Sequence, residues 1–387
     1  MTPPALEWRQ SARRLAARLW ESDVLHDDGV RAAIEATPRH VFVPRFFVQE
    51  PTGAWVASDQ RTPGYLDEVY RDRPLVTTLG ELSDGQRVTV SSSTTPGLMV
   101  RMIEALELDD ASRVLEIGTG TGYNAALLTR LLGARQVFSL DVAAELIEAA
   151  RSRLARLGLT PTLLAADGAA GLPDHAPYDR IIATCSVRRV PWSWADQTRP
   201  GGLVLADLKP ALHAGSLVAL RRQEDRLEGR FLPRWAAFMA MRGAAAPAEI
   251  VEVRRGEEGA RGTTSLGSDP ASELVPWFLV QAELPRIVAT GLRGRAPDGR
   301  PSWATVAAED GSWCEVAMQA DGTGSRVTRQ GGPVRIWDRF ERVVCEWENL
   351  GRPGWGRFGL TVRPDGSHIV WLDEPASPHR RVLPPTE

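Results

Sequence analysis

Lysine is almost absent from this chain: Lys209 is the only one among 46 basic residues, which reads as an arginine-favouring coding bias rather than as function. Cysteine is scarce as well. Cys185, Cys314 and Cys345 are odd in number and far apart, which argues against a disulfide framework or a zinc site. His26, His40, His175, His213, His368 and His379 are scattered and show no metal spacing. No apolar run reaches membrane-spanning length and the N-terminus lacks a signal-peptide core, so a cytoplasmic location is expected. Neither sign of charge is in large excess. A net charge of −3 and a pI near 6.2 give no support for nucleic acid or an anionic membrane as partner. What is left is a 387-residue chain, 43% hydrophobic and 25% charged, with the composition of a soluble globular protein and the length of two domains.

The most informative segment is Val114-Leu-Glu-Ile-Gly-Thr-Gly-Thr-Gly-Tyr123. Apolar residues run into a carboxylate and then into glycines at 118, 120 and 122, the pattern of a buried parallel strand ending in a tight turn. A helical run from Asn124 to Leu132 follows, so the unit reads strand, glycine turn, helix. The spacing is Gly-x-Gly-x-Gly rather than the Gly-x-Gly-x-x-Gly of NAD enzymes. Glu116 would repel a pyrophosphate but suits the positive end of S-adenosylmethionine (SAM). A second strand, Gln136 to Asp141, ends in an acid placed to accept from both ribose hydroxyls. A third run from Thr162 ends in Asp167-Gly168, placed to accept from the adenine amino group and let backbone lie against the ring. Tyr178–Thr184 and Pro200–Ala206 give two more strands. The expected class is α/β, a Rossmann-like doubly wound sheet of the class I SAM-dependent methyltransferase type, with a C-terminal β-rich (α+β) domain.

Along the chain, helices are expected from Leu6 to Trp20, Gly29 to Ala36 and Leu98 to Leu108. Residues 51–89 read as ordered loop with short strands, a lid. The domains are 1–247, the SAM-binding part with N-terminal helices and lid in 1–95, and 248–387, a β-rich part for peptide recognition. Asp-Gly turns at 298, 310, 321 and 365 predict hairpins there, interrupted by one helix with Ile336, Trp337, Phe340, Val343, Val344 and Trp347 on a face. Seven of the 13 tryptophans lie from Trp277 onward; they are expected in the core, with one or two left as anchors for a peptide.

The run Thr89-Val-Ser-Ser-Ser-Thr-Thr-Pro96 reads either as a loop with a helix cap or as hydroxyl donors aimed at a carboxylate. Methyl transfer to a carboxylate needs no strong base, because the nucleophile is already ionised at pH 7. It needs alignment and the exclusion of water. Neutral hydroxyls orient the acceptor without the tight ion pair an arginine would form.

This hydroxyl run, the glycine turn, Asp167-Gly168, Ala176–Ile182 and Arg199-Pro-Gly-Gly202 together resemble the protein-L-isoaspartate O-methyltransferase family, over roughly residues 30 to 240. The family's Ile-Ser-Gln-Pro becomes Ser93-Thr94-Thr95-Pro96, so its active-site serine maps to Thr94 and its glutamine to Thr95, a departure that counts against general repair activity. Ser91–Ser93, Ala183–Arg189, Gly229–Pro233 and the added C-terminal domain resemble a branch that accompanies ATP-grasp ligases in graspetide biosynthesis. That resemblance implies SAM-dependent methylation of an aspartate in a ribosomal precursor peptide already cyclised by such a ligase, the ester then closing to an aspartimide. Repair of isoaspartate in damaged proteins, and a non-catalytic peptide-binding protein, are the alternatives. The candidate catalytic residues are Ser93 and Thr94. The candidate cofactor residues are Ser92, Met99, Glu116, Gly118, Thr119, Gly120, Thr121, Gly122, Tyr123, Asp141, Val142, Asp167 and Gly168, with no metal.

Overall fold

The computed structural model describes residues 5–81, 85, 87–211, 214–242, 259–294 and 299–385. The chain forms two compact units: Met1–Thr184, Ser193–Leu205 and Met241–Ala244 make the first, and Cys185–Trp192, Ala206–Ala240 and Ala245–Glu387 the second. The division therefore does not follow one cut along the chain, and a boundary at 247/248 lies outside the described residues. Among those residues no helix is long and apolar enough to cross a membrane.

The sheet of unit 1 places Thr162–Ala165, Val137–Asp141, Val114–Ile117, Tyr178–Val187 and Thr198–Ala211 side by side in that order. The first four strands are parallel. The chain builds outward from Val114–Ile117 to one side, then returns to its other side with Tyr178–Val187. That reversal leaves a crevice at the carboxyl ends of two adjacent parallel strands, where ligands bind in such sheets. Val114–Ile117 and Val137–Asp141 are buried along their whole length, as strands covered on both faces must be. The helices Tyr123–Leu132 and Ala144–Ala155 follow the first two strands.

Residues 45–93 carry the short strands expected of 51–89, but joined in one sheet that begins earlier and ends later. Arg45–Gln49, Trp55–Asp59, Leu75–Glu81 and Arg87–Ser93 form a four-stranded sheet, with the short helix Tyr65–Val69 between the second and third. The hydroxyl run is thus the last strand as far as Ser93, and only Thr94 and Thr95 lead into the helix Pro96–Ala105. Its partner Leu75–Glu81 pairs through two register shifts, which breaks any clean alternation in the sequence.

In unit 2, Arg380–Val382, His368–Leu372, Phe358–Val362, Leu227–Phe231 and Ala214–Arg222 follow one another in an antiparallel sheet. A second antiparallel sheet runs Ala260–Thr264, Arg326–Gly331, Trp313–Ala317, Trp303–Ala308, Ile287–Arg293. Asp310-Gly311, Asp321-Gly322 and Asp365-Gly366 each fall between paired strands as expected; Asp298 lies outside the described residues. The helix Ile336–Asn349 buries Ile336, Trp337, Phe340, Val343 and Val344, each worth roughly 1.5–3 kcal/mol of apolar burial if fully removed from water. A second helix, Leu274–Val280, is an addition to the expectation: every residue from Val275 to Val280 is buried, so its sequence carries no polar face to reveal the period. Trp277, Trp313, Trp337, Trp355 and Trp371 are buried. Trp303 and Trp347 are half-buried, and none of the seven is fully exposed.

Candidate active site

The glycine turn is fixed from the strands on either side. Gly118 and Thr119 donate their N–H groups to the Leu140 carbonyl at 2.8 and 3.0 Å. Thr184 Oγ1 donates to the Gly118 carbonyl at 2.7 Å. Gly118, Gly120 and Gly122 have φ of 98°, 51° and 85°, the left-handed region that a Cβ disfavours. The space around them differs. A Cβ on Gly122 would meet Ala150 Cβ at 2.9 Å, whereas one on Gly120 would meet nothing within 4 Å. Gly122 therefore serves helix packing, and Gly120 faces open room.

Glu116 is fully buried. Its Oε1 accepts from Asn124 Nδ2 at 2.7 Å and its Oε2 from Ser139 Oγ at 2.5 Å. Ser139 Oγ also lies 2.6 Å from Thr119 Oγ1. The carboxylate thus ties the first strand, the second strand and the first helical turn together. Burial pushes its pKa up to about 7, against the opposing pull of the Ser139 and Asn124 donors. Asp141 is also buried; its Oδ2 accepts from Gly120 N at 2.9 Å and its Oδ1 from Ala143 N at 3.1 Å. Each oxygen retains acceptor capacity beyond that bond. Asp167 is half-buried, with Oδ1 accepting from Ala169 N at 2.9 Å. Gly168 is required by the protein's own packing: a Cβ there would sit 2.7 Å from Ile117 Cγ2 and 2.9 Å from Met241 Sδ. Its carbonyl accepts from Trp194 Nε1 at 2.8 Å. Met99, Thr121 and Tyr123 are buried, and Ser92 and Val142 half-buried.

The hydroxyl segment is built on a residue that sequence reasoning missed. Arg39 is fully buried. Its Nη1 donates to the carbonyls of Val69 at 2.7 Å and Arg71 at 3.1 Å. Its Nη2 donates to Arg73 O at 3.2 Å, Thr94 O at 3.1 Å and Ser93 Oγ at 3.4 Å. The guanidinium also lies 5.8 Å from the centre of the Tyr123 ring. One arginine thus links the hydroxyl segment to the helix that follows the glycine turn. Burial lowers its pKa to about 10, so it stays charged at pH 7. Ser93 Oγ is inside, held by this cation, while Thr94 is half-buried. Thr95 caps nothing with its side chain; Asp72 Oδ1 accepts from Gly97 N at 2.6 Å instead. Arg39 and Asp72 carry no local signal. Ser139 does: it is the one uncharged polar residue inside a strand buried on both faces.

The residues present fit SAM. Asp141 stands at the end of the second strand with lone pairs to offer, Gly120 leaves open space beside it, and Asp167 ends the third strand. Two buried polar atoms at the same turn, Tyr123 Oη and Asn124 Oδ1, lack a hydrogen-bond partner among the described residues. The family described as "Protein-L-isoaspartate(D-aspartate) O-methyltransferase (PCMT)" matches residues 10–231, more than half of the chain. The chain belongs to that family. It is a SAM-dependent carboxyl O-methyltransferase. The match begins earlier than residue 30, within the first helix, Ala5–Glu21. The methyltransferase is 36% identical to the protein-L-isoaspartate O-methyltransferase of Methylorubrum extorquens over 53% of this chain and 77% of that one. It is 36% identical to the enzyme of the same name from Methanoculleus marisnigri over 52% and 78%. A solved structure titled protein-L-isoaspartate O-methyltransferase superposes with a TM-score of 0.54 at 22% identity, over 95% of the methyltransferase and 100% of that chain. The likeness in fold therefore reaches well beyond the matched 10–231.

Proposed function

We propose that this methyltransferase esterifies the side-chain carboxylate of an isoaspartyl residue in a peptide or protein. The observation that carries the reading is the hydroxyl segment Ser93-Thr94, anchored by buried Arg39 in the same unit as the glycine turn. The names of the relatives support the isoaspartyl substrate. SAM supplies a methyl group on a positive sulfur, and its transfer to a carboxylate leaves a methyl ester and a neutral thioether. Asp141 would hold the ribose and Asp167 the adenine side. Thr94, half-buried at the head of the helix Pro96–Ala105, would orient the acceptor, and Ser93 would support it from within. Arg39 spends its Nη donors on carbonyls and on Ser93, and would so leave the acceptor carboxylate its nucleophilicity.

A second reading is favoured by one departure. Where the resemblance expects Ile-Ser-Gln-Pro, this chain has Ser93-Thr94-Thr95-Pro96. On that reading the substrate is an aspartate in a ribosomal precursor peptide cyclised by an ATP-grasp ligase, a graspetide, and the ester closes to an aspartimide. Labelled SAM offered with an isoaspartyl peptide, its aspartyl isomer and a cyclised precursor decides between them. Label on the isoaspartyl peptide alone supports the first reading, and label on the cyclised precursor alone replaces it with the second. No label on any of them sinks both.

A further inference from the structure

We infer that unit 2 holds a docking site for an extended acidic peptide segment, which adds to the sheet edge at Arg380–Val382 and places an apolar side chain in the cavity beside it. This rests on the reading that the substrate is a peptide. The cavity has a volume of about 430 Å³. That is within the range of roughly 300–1,000 Å³ typical of ligand pockets. Its apolar walls include Leu279, Val343, Trp347, Phe358 and Val370, and Glu346, Asn349, His379, Arg380 and Arg381 line it as well. Trp347 donates its Nε1 proton to Pro353 O at 2.9 Å, so the ring presents only apolar surface to an occupant.

Arg380–Val382 is the terminal strand of its sheet among the described residues. Its partners are Trp371, Val370 and Ile369. Leu372 donates to His379 O at 3.1 Å and Leu383 to His368 O at 2.9 Å, which marks the hydrogen-bonded pairs of this ladder. By antiparallel alternation, Arg380 and Val382 turn their N–H and C=O groups away from the sheet. Val382 is 59% exposed. An open edge of this kind pairs readily with an added strand.

The charges select the occupant. Arg381, on the cavity face, donates to Glu283 and Glu346, and Arg342 donates to the same two carboxylates. With Arg339 Nη1 3.6 Å from Glu283 as well, three cations face two anions, a net charge of one positive. Arg380, which alternates with Arg381 along the strand and also borders the cavity, is exposed and has no acidic partner among the described residues. A strand of alternating apolar and acidic residues matches both faces at once, with apolar side chains over the cavity and carboxylates beside Arg380.

The test uses the full chain without SAM and two fluorescein-labelled hexapeptides, one alternating Phe and Glu and the other Phe and Lys, read by anisotropy. The Phe/Glu peptide should bind about tenfold more tightly or better. Val382→Pro removes an outward N–H and no ladder bond, and should weaken Phe/Glu binding about tenfold. Arg380→Glu, a surface change that spares the fold, should do the same and improve the Phe/Lys peptide. Equal affinity for the two peptides, or unchanged Phe/Glu affinity in Arg380→Glu, overturns the site. Binding is read without methyl transfer, so a failure of the isoaspartyl reading leaves this result standing and the reverse holds too.

Discussion

Unit 1 gathers buried charges around the glycine turn and the hydroxyl segment, whereas unit 2, which also buries Asp207 and Glu315, packs five tryptophans inside. In unit 1, Arg39 and Glu116 are fully buried and Asp141 nearly so, and each is held by several hydrogen bonds. In unit 2, Trp277 and Trp337 pack edge-on and tilted against Phe340, with centroids 5.8 and 5.3 Å apart. Its main charge network, around Glu283, stays near the surface. A buried charge lowers stability unless every partner is in place, whereas buried aromatic area stabilises with little demand on its neighbours. A fold retains such groups where their position matters. The contrast agrees with the proposed chemistry in unit 1 and the proposed peptide edge on unit 2.

The contrast is broken most directly at Arg39. Arg39→Leu should destabilise the protein by about 3–5 kcal/mol, because several buried carbonyls and Ser93 lose their donor together. Arg39→Lys should fold better yet transfer methyl more slowly with little change in SAM affinity. Urea unfolding and single-turnover rates would show both, and a Leu variant of parental stability would remove Arg39 from the argument.

Next comes Glu116. Its folded pKa is raised, so the stability it contributes is present below its unfolded value and is lost as pH rises through about 7. The loss over that window is on the order of 3 kcal/mol at most. Melting temperatures should fall between pH 5 and pH 7.5 in the parent, and Glu116→Gln should flatten that slope. Parallel slopes would place the carboxyl's titration elsewhere.

Asp141→Asn should raise the SAM dissociation constant by the equivalent of about 1.5–3 kcal/mol for each ribose bond lost. Asn keeps one oxygen for the turn, so the fold should survive; unchanged affinity by calorimetry would reassign the ribose. Ser93→Ala with Thr94→Val should lower the methylation rate by about tenfold to a hundredfold while SAM affinity moves much less. Turnover equal to the parent would return the segment to a helix lead-in.

The smallest effect belongs to unit 2. Arg342→Ala should change stability by no more than about 1 kcal/mol, since its partners are partly solvated. A larger loss in a melting series would mean that the surface network bears more of unit 2 than its exposure implies. A cut at residue 247 is a poor test of the second unit, because Leu227–Phe231 pairs with Phe358–Val362 and would be left with an open edge.

The sequence alone determined the parallel sheet, the glycine turn, the acids at three strand ends, the Asp-Gly hairpins and the amphipathic helix at 336–349. Each rests on a short-range rule: an apolar run with a glycine break, a turn dipeptide, or a period of 3.6 residues. The helix Leu274–Val280 escaped because a segment buried all round has no polar face to betray its period. Only the tertiary structure decided that residues 45–93 form a sheet, since their pairing joins strands through two register shifts that no local pattern records. It alone showed how these acids are held: Glu116 accepts from the Ser139 and Asn124 side chains, and Asp141 from the Gly120 and Ala143 backbone. It alone brought Arg39 to Ser93 across 54 residues of chain, because a buried cation is positioned by carbonyls that converge only after folding.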